Sequence, residues 1–397
     1  MKNNKKYWFV SEFYYPAENS TGHILTRIID SFSEENDTHI ITVGNLDAKE
    51  RNGNTHTIRI KDYPSLNKNK FIQRLIKLMG LSIKMTASII WNVKKDDVVI
   101  TVTNPALILI FLPFVKRIKK FKLIILVHDV FPENLVVAKT IKLRSLLYKT
   151  AKKIFDSVYN KADLLITCGR DMQKTIRQKV KNKDKVLFIP NFGDTDILYP
   201  IEKHKNPILQ NLQITEKLIV FFTGNIGRMQ DIDNIIKTAE LLKNDPSIVF
   251  LFIGEGAFKN KIKNYTEHNN NVILLPNMSR TDSLLFLNAG DIGLSTLLPN
   301  IMGVGVPSKT YAYMATGKPI LAVMDDDSEI SIMLKEEGNG WTVEANNPNQ
   351  FAELLKKISK DPETIVQKGQ ISLHLSKTKY SIENITSQYT QMILSLT

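Results

Sequence analysis

The sequence predicts an α/β protein built from two doubly wound parallel sheets. In the first half, six apolar runs typical of buried strands alternate with stretches of helical periodicity, at residues 7–10, 39–43, 98–102, 123–127, 164–167 and 186–189. The second half repeats the scheme near residues 218–222, 248–253, 272–275, 291–295 and 319–324. Because ligands bind at the carboxyl ends of such strands, two facing Rossmann-like sheets are expected to enclose an interdomain cleft.

The length of 397 residues exceeds that of one ordinary hydrophobic core. The segment 191–212 contains Pro200 and Pro207 and little periodic pattern, which predicts a linker. The predicted domains are therefore residues 1–200 and residues 201–379. Residues 380–397 show apolar positions at helical spacing and are predicted to form a helix that belongs to the first domain.

The cysteine content and the N-terminus exclude several classes of protein. Cys168 is the single cysteine, which excludes an internal disulfide framework and a multi-cysteine metal site. The apolar run at residues 7–10 is far shorter than a signal-peptide core. We therefore expect a cytoplasmic protein whose first strand lies at this run.

The net charge of +13 is concentrated in three stretches where basic and apolar residues interleave. They lie at residues 68–84, 106–120 and 139–153. The basic residues of the first stretch are Lys68, Lys70, Arg74, Lys77 and Lys84. None holds the ~20 apolar residues that a membrane span needs. Ordinary amphipathic helices and contact with an anionic membrane surface fit this pattern equally well, and nucleic acid fits it least.

Four strand-to-helix junctions in the second half end in small or hydrogen-bonding residues. Their sequences are TGNIGR at 223–228, GEG at 254–256, PNM at 276–278 and GVGVPSK at 303–309. Glycines permit close approach of a ligand to the backbone, and amides at a helix start favour phosphate. A helix that starts after 303–309 and ends at Gly317 is expected to leave its first amides unpaired. Together the junctions predict a cradle for a nucleotide diphosphate sugar.

The landmarks of this chain resemble those of the retaining glycosyltransferases of family 4, which have the GT-B fold. The segments that carry the resemblance are PAENSTG at 16–22, IPNFGDTD at 189–196, IGEG at 253–256 and ATGKPI at 315–320. Each is weak alone, but their order along nearly the whole chain is specific. The resemblance implies a GT-B fold and a glycosyltransferase activity.

A closer resemblance is to a bacterial subgroup exemplified by the L-fucosamine transferases of O-antigen and capsule assembly. It depends on the segments DVFPE at 129–133, GNIGR at 224–228 and GVPSKTY at 305–311. This likeness implies a UDP-N-acetyl sugar as the donor and a polyprenyl-diphosphate-linked saccharide as the acceptor. It also implies a peripheral enzyme on the anionic inner face of the cell membrane, with no nucleic acid partner.

The chain departs from the broad family at four positions. Val304 and Ala312 stand where the family has two glutamates that contact the donor sugar and the ribose. Asn225 and Gln230 stand where it has a phosphate-binding arginine and lysine. We therefore expect Arg228, Lys309 and helix amides to neutralise the phosphates.

The candidate site residues form two groups. His128 follows a buried strand, and the family resemblance implies that it lies near the reacting carbon. Asp129 and Glu133 are candidates to receive or orient the acceptor hydroxyl. For these two carboxylates a solvated or capping role fits equally well. The candidate donor-binding residues are Gly22, Asn225, Arg228, Gln230, Gly254, Glu255, Asn277, Pro307, Ser308, Lys309 and Thr310.

No cofactor or metal ion is expected. Asp325, Asp326 and Asp327 precede a helix that begins near Ser328, so helix capping explains them better than metal binding does. Two alternative functions remain open. A UDP-sugar 2-epimerase shares the fold but needs more carboxylates and histidines around the sugar, and a non-catalytic scaffold of a polysaccharide assembly complex would explain the missing glutamate pair.

Overall fold

The computed structural model describes residues 5–16, 19–44, 54–62 and 71–396. Ala17, Glu18, Lys68 and Lys70 lie outside these ranges, as does the side chain of Arg74. The Cα positions group into two compact units, residues 1–190 with 386–397 and residues 191–385. Each unit is built on one parallel sheet, as the alternation of apolar runs and helical stretches predicts.

The first unit contains a seven-stranded sheet of order β3-β2-β1-β4-β5-β6-β7. Every neighbouring pair in it is parallel. The strands are β1 Tyr7–Ser11, β2 Thr38–Val43, β3 Thr55–Ile60, β4 Val98–Val102, β5 Lys122–Val127, β6 Leu164–Thr167 and β7 Val186–Phe188. The central strands are buried on both faces, which explains their unbroken apolar sequences.

The helices of the first unit connect these strands. They are α1 Ser20–Ser33, α2 Phe71–Asn92, α3 Ile108–Lys119, α4 Glu133–Val137, α5 Leu146–Lys161 and α6 Arg170–Arg177. Side chains cap two of them, because Asn19 accepts a hydrogen bond at the start of α1 and Ser145 accepts one at the start of α5.

The second unit contains a six-stranded parallel sheet of order β10-β9-β8-β11-β12-β13. Its strands are β8 Leu218–Thr223, β9 Ile248–Ile253, β10 Val272–Leu275, β11 Ile292–Thr296, β12 Ile320–Val323 and β13 Gly340–Val343. Its helices are α7 Pro207–Leu212, α8 Ile232–Leu241, α9 Lys259–Thr266, α10 Ser283–Leu287, α11 Lys309–Ala315, α12 Glu329–Glu337, α13 Pro348–Ile358 and α14 Pro362–Lys377.

A last helix, α15 Ile382–Leu394, begins in the second unit, and its residues from Thr386 onward pack with the first. In both sheets the chain order reverses once, between β1 and β4 and between β8 and β11. The crevice outside the carboxyl ends of the strands at such a switch point is where this architecture binds ligands.

Two strands were not expected from the sequence, and both lie at sheet edges. β3 and β13 each pair on one side only, so their side chains are half-buried and the apolar run that marks a central strand is absent.

The predicted linker also differs, since it contains α7 and belongs to the second unit from Asn191. The side-chain amide of Asn288 donates to the carbonyl of Tyr199 at 3.0 Å, and its oxygen accepts from the amide of Ile201 at 2.9 Å.

Candidate active site

The loops after β8 and β9 are joined through their backbones. The amide of Gly224 donates to the carbonyl of Ile253 at 2.8 Å, and the amide of Ile226 donates to that of Glu255 at 2.7 Å. A Cβ on Gly254 would lie 1.9 Å from the Gly224 carbonyl oxygen, and one on Gly256 would lie 2.3 Å from that of Ile226. The glycines of GEG therefore allow one loop to pack on the other, whereas the sequence analysis assigned them to ligand approach.

The three candidate side chains of the β8 loop fall into two kinds. Gln230 accepts a hydrogen bond from the amide of Gly227 at 2.9 Å and so helps to hold the loop. Asn225 and Arg228 are exposed. The structure thus leaves Asn225 and Arg228 accessible to a ligand and gives Gln230 a partner within the loop.

Two further donor-site candidates lie on the surface at the ends of β9 and β10. Glu255 forms an ion pair with Lys259, the first residue of α9, and the side chain of Glu255 is about half exposed. Asn277 follows β10 and is exposed. An exposed carboxylate with a lysine partner accounts for Glu255 without a ligand.

The start of α11 differs from the expectation of a full set of unpaired amides. The amides of Thr310 and Tyr311 donate to the carbonyls of Pro307 and Ser308, each at 3.2 Å. The Thr310 hydroxyl donates to the Ser295 hydroxyl oxygen at 3.0 Å and is buried. Within the described chain this leaves the amides of Ser308 and Lys309 as the unpaired donors of the turn.

Lys309 of the second unit has a buried side-chain nitrogen. Its Nζ lies 3.3 Å from the centroid of the Phe222 ring, is buried, and has no hydrogen-bond partner. Burial lowers the pKa of this lysine well below its usual value. Phe222 belongs to β8 and α11 follows β11, so the ammonium lies at the switch point of the sheet.

The sequence analysis missed the residues that support this position. The Tyr313 hydroxyl accepts from the amide of Thr223 at 2.9 Å and lies 3.2 Å from its hydroxyl, so α11 is tied to the end of β8. Thr296 ends β11 and has a buried hydroxyl without a partner. Threonine at the end of an apolar run was the available signal, since it places a hydroxyl at a carboxyl strand end.

His128 lies in the first unit, in the loop after β5. The Thr103 hydroxyl oxygen accepts from the backbone amides of His128 and Asp129, at 3.2 and 3.0 Å, which fixes the turn. The Nε2 atom of His128 is buried without a partner, and burial lowers the pKa of the imidazole to about 4. The ring is therefore neutral at physiological pH.

The two carboxylates of this loop have different surroundings. Burial raises the pKa of Asp129 to about 6, although a hydrogen bond of 2.7 Å from Asn134 lowers it. Glu133 accepts from Lys179 at 2.6 Å and from the Tyr148 hydroxyl at 3.2 Å. These partners engage one oxygen of Glu133 in an ion pair, whereas Asp129 keeps a perturbed carboxyl group beside His128.

Three of the remaining sequence candidates, Gly22, Asp325 and Asp326, have structural partners. The amide of Gly22 donates to the Asn19 side chain at 2.8 Å in the first turn of α1. Asp325 accepts from the amide of Asn300 at 2.8 Å, and Asp326 pairs with Lys335 at 2.9 Å. Among the described residues no group of three histidine, cysteine or acidic side chains is arranged to hold a metal ion.

Residues 204–371 match the model of the family described as glycosyl transferases group 1. The chain is 32% identical over 367 residues to the probable glycosyltransferase WbjE of Pseudomonas aeruginosa, and the match covers 88% of each chain. This chain belongs to the group 1 glycosyl transferases. A second relative, the putative colanic acid biosynthesis glycosyl transferase WcaI of Escherichia coli strain K12, is 25% identical over 159 residues, or 39% of each chain.

Solved structures show the fold of this glycosyltransferase. Alr3699/HepE of Anabaena, in complex with UDP, has a TM-score of 0.72 at 12% identity, with 98% of this chain and 100% of that chain covered. Sucrose-phosphate synthase of Thermosynechococcus elongatus has a TM-score of 0.76 at 14% identity, with 99% of each chain covered. The predicted GT-B architecture of two parallel sheets is thus confirmed.

The helices of this group 1 glycosyltransferase differ in length and in apolar content. In the part of the chain that the structure describes, no helix combines the length and the apolar content that crossing a bilayer demands.

Proposed function

We propose that this enzyme transfers an N-acetylated amino sugar, such as N-acetyl-L-fucosamine, from a UDP-sugar to a polyprenyl-diphosphate-linked saccharide. The transfer retains the anomeric configuration and serves capsule or O-antigen biosynthesis. Support comes from the subgroup resemblance in the sequence, from the 32% identity to WbjE, and from the chemistry of the β8–β11 switch point.

The observation that carries the proposal is the unpartnered ammonium of Lys309. A buried cation without a counter-charge costs free energy, and an anion beside it offsets that cost. A diphosphate there would accept from Nζ and from the free amides of Ser308 and Lys309, with Arg228 as a second cation. These groups stabilise the negative charge that develops on the UDP leaving group, and the proposal therefore needs no metal ion or other cofactor.

The first unit supplies the groups proposed to act on the sugar. A neutral His128 imidazole has a free Nε2 for a hydrogen bond to the donor sugar, and it stabilises positive charge at the reacting carbon without carrying a charge of its own. Asp129 is proposed to orient the acceptor hydroxyl, since Glu133 is engaged by Lys179. No residue is assigned as a covalent nucleophile.

The acceptor determines where the enzyme works. A polyprenyl chain lies in a bilayer, so the proposal places the enzyme at the inner face of the cell membrane as a peripheral protein. Nucleic acid is not a proposed partner.

The experiment that tests the donor site is the thermal unfolding midpoint of the full chain with UDP, GDP, dTDP and ADP, each with and without magnesium. Binding to the native state raises stability by about 2.7 kcal/mol at a ligand concentration 100 times the Kd. We expect a selective rise with UDP that does not require magnesium. A midpoint that no nucleotide changes would refute the donor site and favour the scaffold function.

The transfer itself is tested with UDP-N-acetyl sugars and a synthetic polyprenyl diphosphate saccharide. We expect UDP release that depends on the acceptor, and a product whose anomeric configuration, read by NMR, matches that of the donor. Conversion of the UDP-sugar without any acceptor would instead indicate a 2-epimerase.

A further inference from the structure

Three helices of the first unit form one surface, which we call the α2–α3–α5 face. Helix α3 packs against α2 on one side and against α5 on the other. The Lys119 ammonium donates to the carbonyl of Ile90 at 2.7 Å, and the Lys116 ammonium donates to that of Lys161 at 2.8 Å. These contacts fix the three helices side by side.

Each of the three helices presents an apolar stripe to solvent. Trp91, Phe114 and Leu146 are 83%, 69% and 81% exposed. The exposed apolar residues recur at helical spacing: Ile76, Met79, Ile83 and Ile90 on α2, Ile110, Phe114 and Ile118 on α3, and Leu146, Leu147 and Ile154 on α5. An exposed patch spread over three adjacent helices marks an interaction surface.

The stripes are additional to the faces that form the core. On α2, Leu81, Met85 and Ile89 are fully buried, and on α3 so are Leu109 and Leu112. A surface helix of a water-soluble unit normally turns polar residues outward. Both helices are instead apolar on the side that packs on the core and on the side that faces solvent. The outer side is therefore suited to contact with another apolar environment.

Basic residues outnumber acidic ones on this face, although α5 also carries Asp156. Residues 71–92, 108–120 and 134–155 hold three, four and six basic residues and no aspartate or glutamate. Lys116 pairs with Asp163 at 2.7 Å and Lys152 with Asp156. The exposed Arg117, Lys149 and Lys153 have no ion-pair partner in the described chain. Apolar stripes interleaved with unpaired cations complement a surface that is both apolar and anionic.

A groove of about 380 Å³ lies between α3 and α5. Ile110, Pro113, Phe114 and Ile154 line it with apolar surface, and Arg117, Lys153 and Lys161 add three cations. This combination suits a phosphate that is attached to a hydrocarbon chain, because the guanidinium and ammonium groups bind the phosphate and the apolar wall covers the chain.

We propose that the α2–α3–α5 face docks in the plane of an anionic phospholipid bilayer and that the α3–α5 groove takes a lipid headgroup phosphate. The exposed apolar residues enter the headgroup region and the cations meet the anionic lipids. A second copy of this chain is a poor occupant, since it would place two basic faces against each other. Nucleic acid leaves the apolar stripes uncovered.

The test is co-sedimentation of the full chain with vesicles of phosphatidylcholine alone and of phosphatidylcholine with phosphatidylglycerol. We expect binding to the anionic vesicles only. The triple variant Arg117→Gln, Lys149→Gln, Lys153→Gln should bind on the order of 100-fold more weakly, since each cation near an anionic surface contributes about fivefold. The variant Ile83→Ser, Phe114→Ser, Leu146→Ser should lose about tenfold or more.

Matched control variants change exposed residues elsewhere. Lys174→Gln, Lys181→Gln, Lys183→Gln removes the same charge from the first unit, and Ile197→Ser, Leu241→Ser, Val366→Ser removes apolar side chains from the second. Both controls should bind vesicles as the parent does. Equal binding by the parent to the two vesicle types, or equal losses in the controls, would overturn the proposal. So would a dimer in analytical ultracentrifugation that Phe114→Ser dissociates.

Trp91 provides a second measurement that does not depend on sedimentation. Its indole is exposed on α2, so anionic vesicles should shift its fluorescence to shorter wavelength, and Trp91→Phe should abolish the shift. An unshifted spectrum in the presence of bound vesicles would contradict insertion of this face. The vesicles contain no nucleotide sugar and no acceptor saccharide, so the result is independent of the proposed transfer reaction.

Discussion

At the residue scale, the two candidate sites share one property, which is a buried polar atom without a partner. In the second unit it is Nζ of Lys309, and in the first it is Nε2 of His128. Folded proteins satisfy nearly all buried polar groups, so each exception needs a reason. We propose that a ligand completes the hydrogen bonding in both loops.

Replacing Lys309 separates the free-energy cost of burying its amino group from the contribution of that group to UDP binding. Lys309→Met keeps the approximate volume and removes a buried amino group that has no hydrogen-bond partner, so we expect the ligand-free protein to gain about 1–3 kcal/mol of stability. The same change should weaken UDP binding by about 10- to 100-fold, because a charge-assisted hydrogen bond is lost. Thermal unfolding with and without UDP measures both effects.

A second buried lysine serves as the control. Burial also lowers the pKa of Lys318, but this residue precedes β12 and therefore lies at the opposite end of the strands from Lys309. Lys318→Met should leave the UDP-dependent stabilisation unchanged. Equal loss of that stabilisation in both variants would contradict the assignment of Lys309.

The raised pKa of Asp129 predicts a pH dependence of stability. The folded carboxyl titrates at about 6 and an unfolded one at about 4, so its contribution to stability falls as pH rises from about 4 to about 6. Above that range the buried charge is a cost of about 1–2 kcal/mol, reduced by partial contact with solvent. Asp129→Asn should therefore raise the unfolding midpoint at pH 7.5.

The difference between Asp129→Asn and the parent should vanish near pH 4, where both side chains are neutral. Denaturant unfolding at the two pH values measures it. A variant that is destabilised to the same extent at both would show that the carboxylate has a structural role.

At the element scale, the donor side of the second unit depends on how closely its loops approach. The β8 and β9 loops exchange backbone hydrogen bonds, and α11 is tied to β8 through Tyr313 and Thr223. The elements that surround Lys309 are thus held by contacts among themselves before any ligand binds. Such preorganisation is what electrostatic stabilisation of a leaving group requires.

Because the loops after β8 and β9 pack closely, we expect one added methyl group at Gly254 to have a large effect on stability. Gly254→Ala would place Cβ 1.9 Å from the Gly224 carbonyl oxygen, a backbone atom that cannot move without displacing the β8 loop. We expect a loss of about 3 kcal/mol or more, or a displaced loop with weakened UDP binding. Urea unfolding and UDP titration measure the two outcomes.

Gly338→Ala is the matched control for this prediction. Gly338 ends α12 at a φ of +71° with no atom within 4 Å of an added Cβ, so only the backbone conformation is penalised, by about 1 kcal/mol. Similar losses for both variants would show that loop contact adds nothing at Gly254.

The sequence predicted the central strands and the edge strands β7 and β10, but it missed the edge strands β3 and β13. The runs at 98–102 and 164–167 coincide with β4 and β6, because a strand that is buried on both faces needs an unbroken apolar sequence. β3 has the sequence THTIRI and β13 the sequence GWTV. Their exposed positions tolerate polar residues, so neither strand has a distinctive pattern.

The site was predictable by location and less so by role. The sequence placed His128 after the end of β5 and Lys309 in the first turn of a helix, and the structure has both residues there. It could not show that the glycines of GEG pack against the β8 loop, or that Lys179 engages Glu133 across 46 positions. Contacts between residues so distant in sequence leave no local signal.

At the scale of the whole molecule, the chain returns to its first unit at its C-terminal end. Tyr389 and Ile393 of α15 are buried, and residues from Thr386 onward pack with the first unit. The last helix therefore completes a core that is otherwise built from the first 190 residues of the chain.

Tyr389→Ala should destabilise the first unit selectively. Loss of a buried aromatic side chain costs about 3–5 kcal/mol, and the cavity lies in the core of that unit. Hydrogen exchange measured by mass spectrometry should show lower protection in β5 and β6 and unchanged protection in β8 and β11. Gln391→Ala on the exposed side of α15 is the control, and uniform loss of protection in both units would contradict the assignment.

The burial of Lys309 also has a consequence for the energetics of nucleotide binding. Desolvation holds its pKa down in the ligand-free protein, and the two negative phosphates of UDP would raise it again. At a pH between the lowered pKa and the restored one, UDP binding is therefore coupled to proton uptake from the buffer. In titration calorimetry the observed enthalpy should consequently vary with the ionisation enthalpy of the buffer, and the variation should disappear in Lys309→Met.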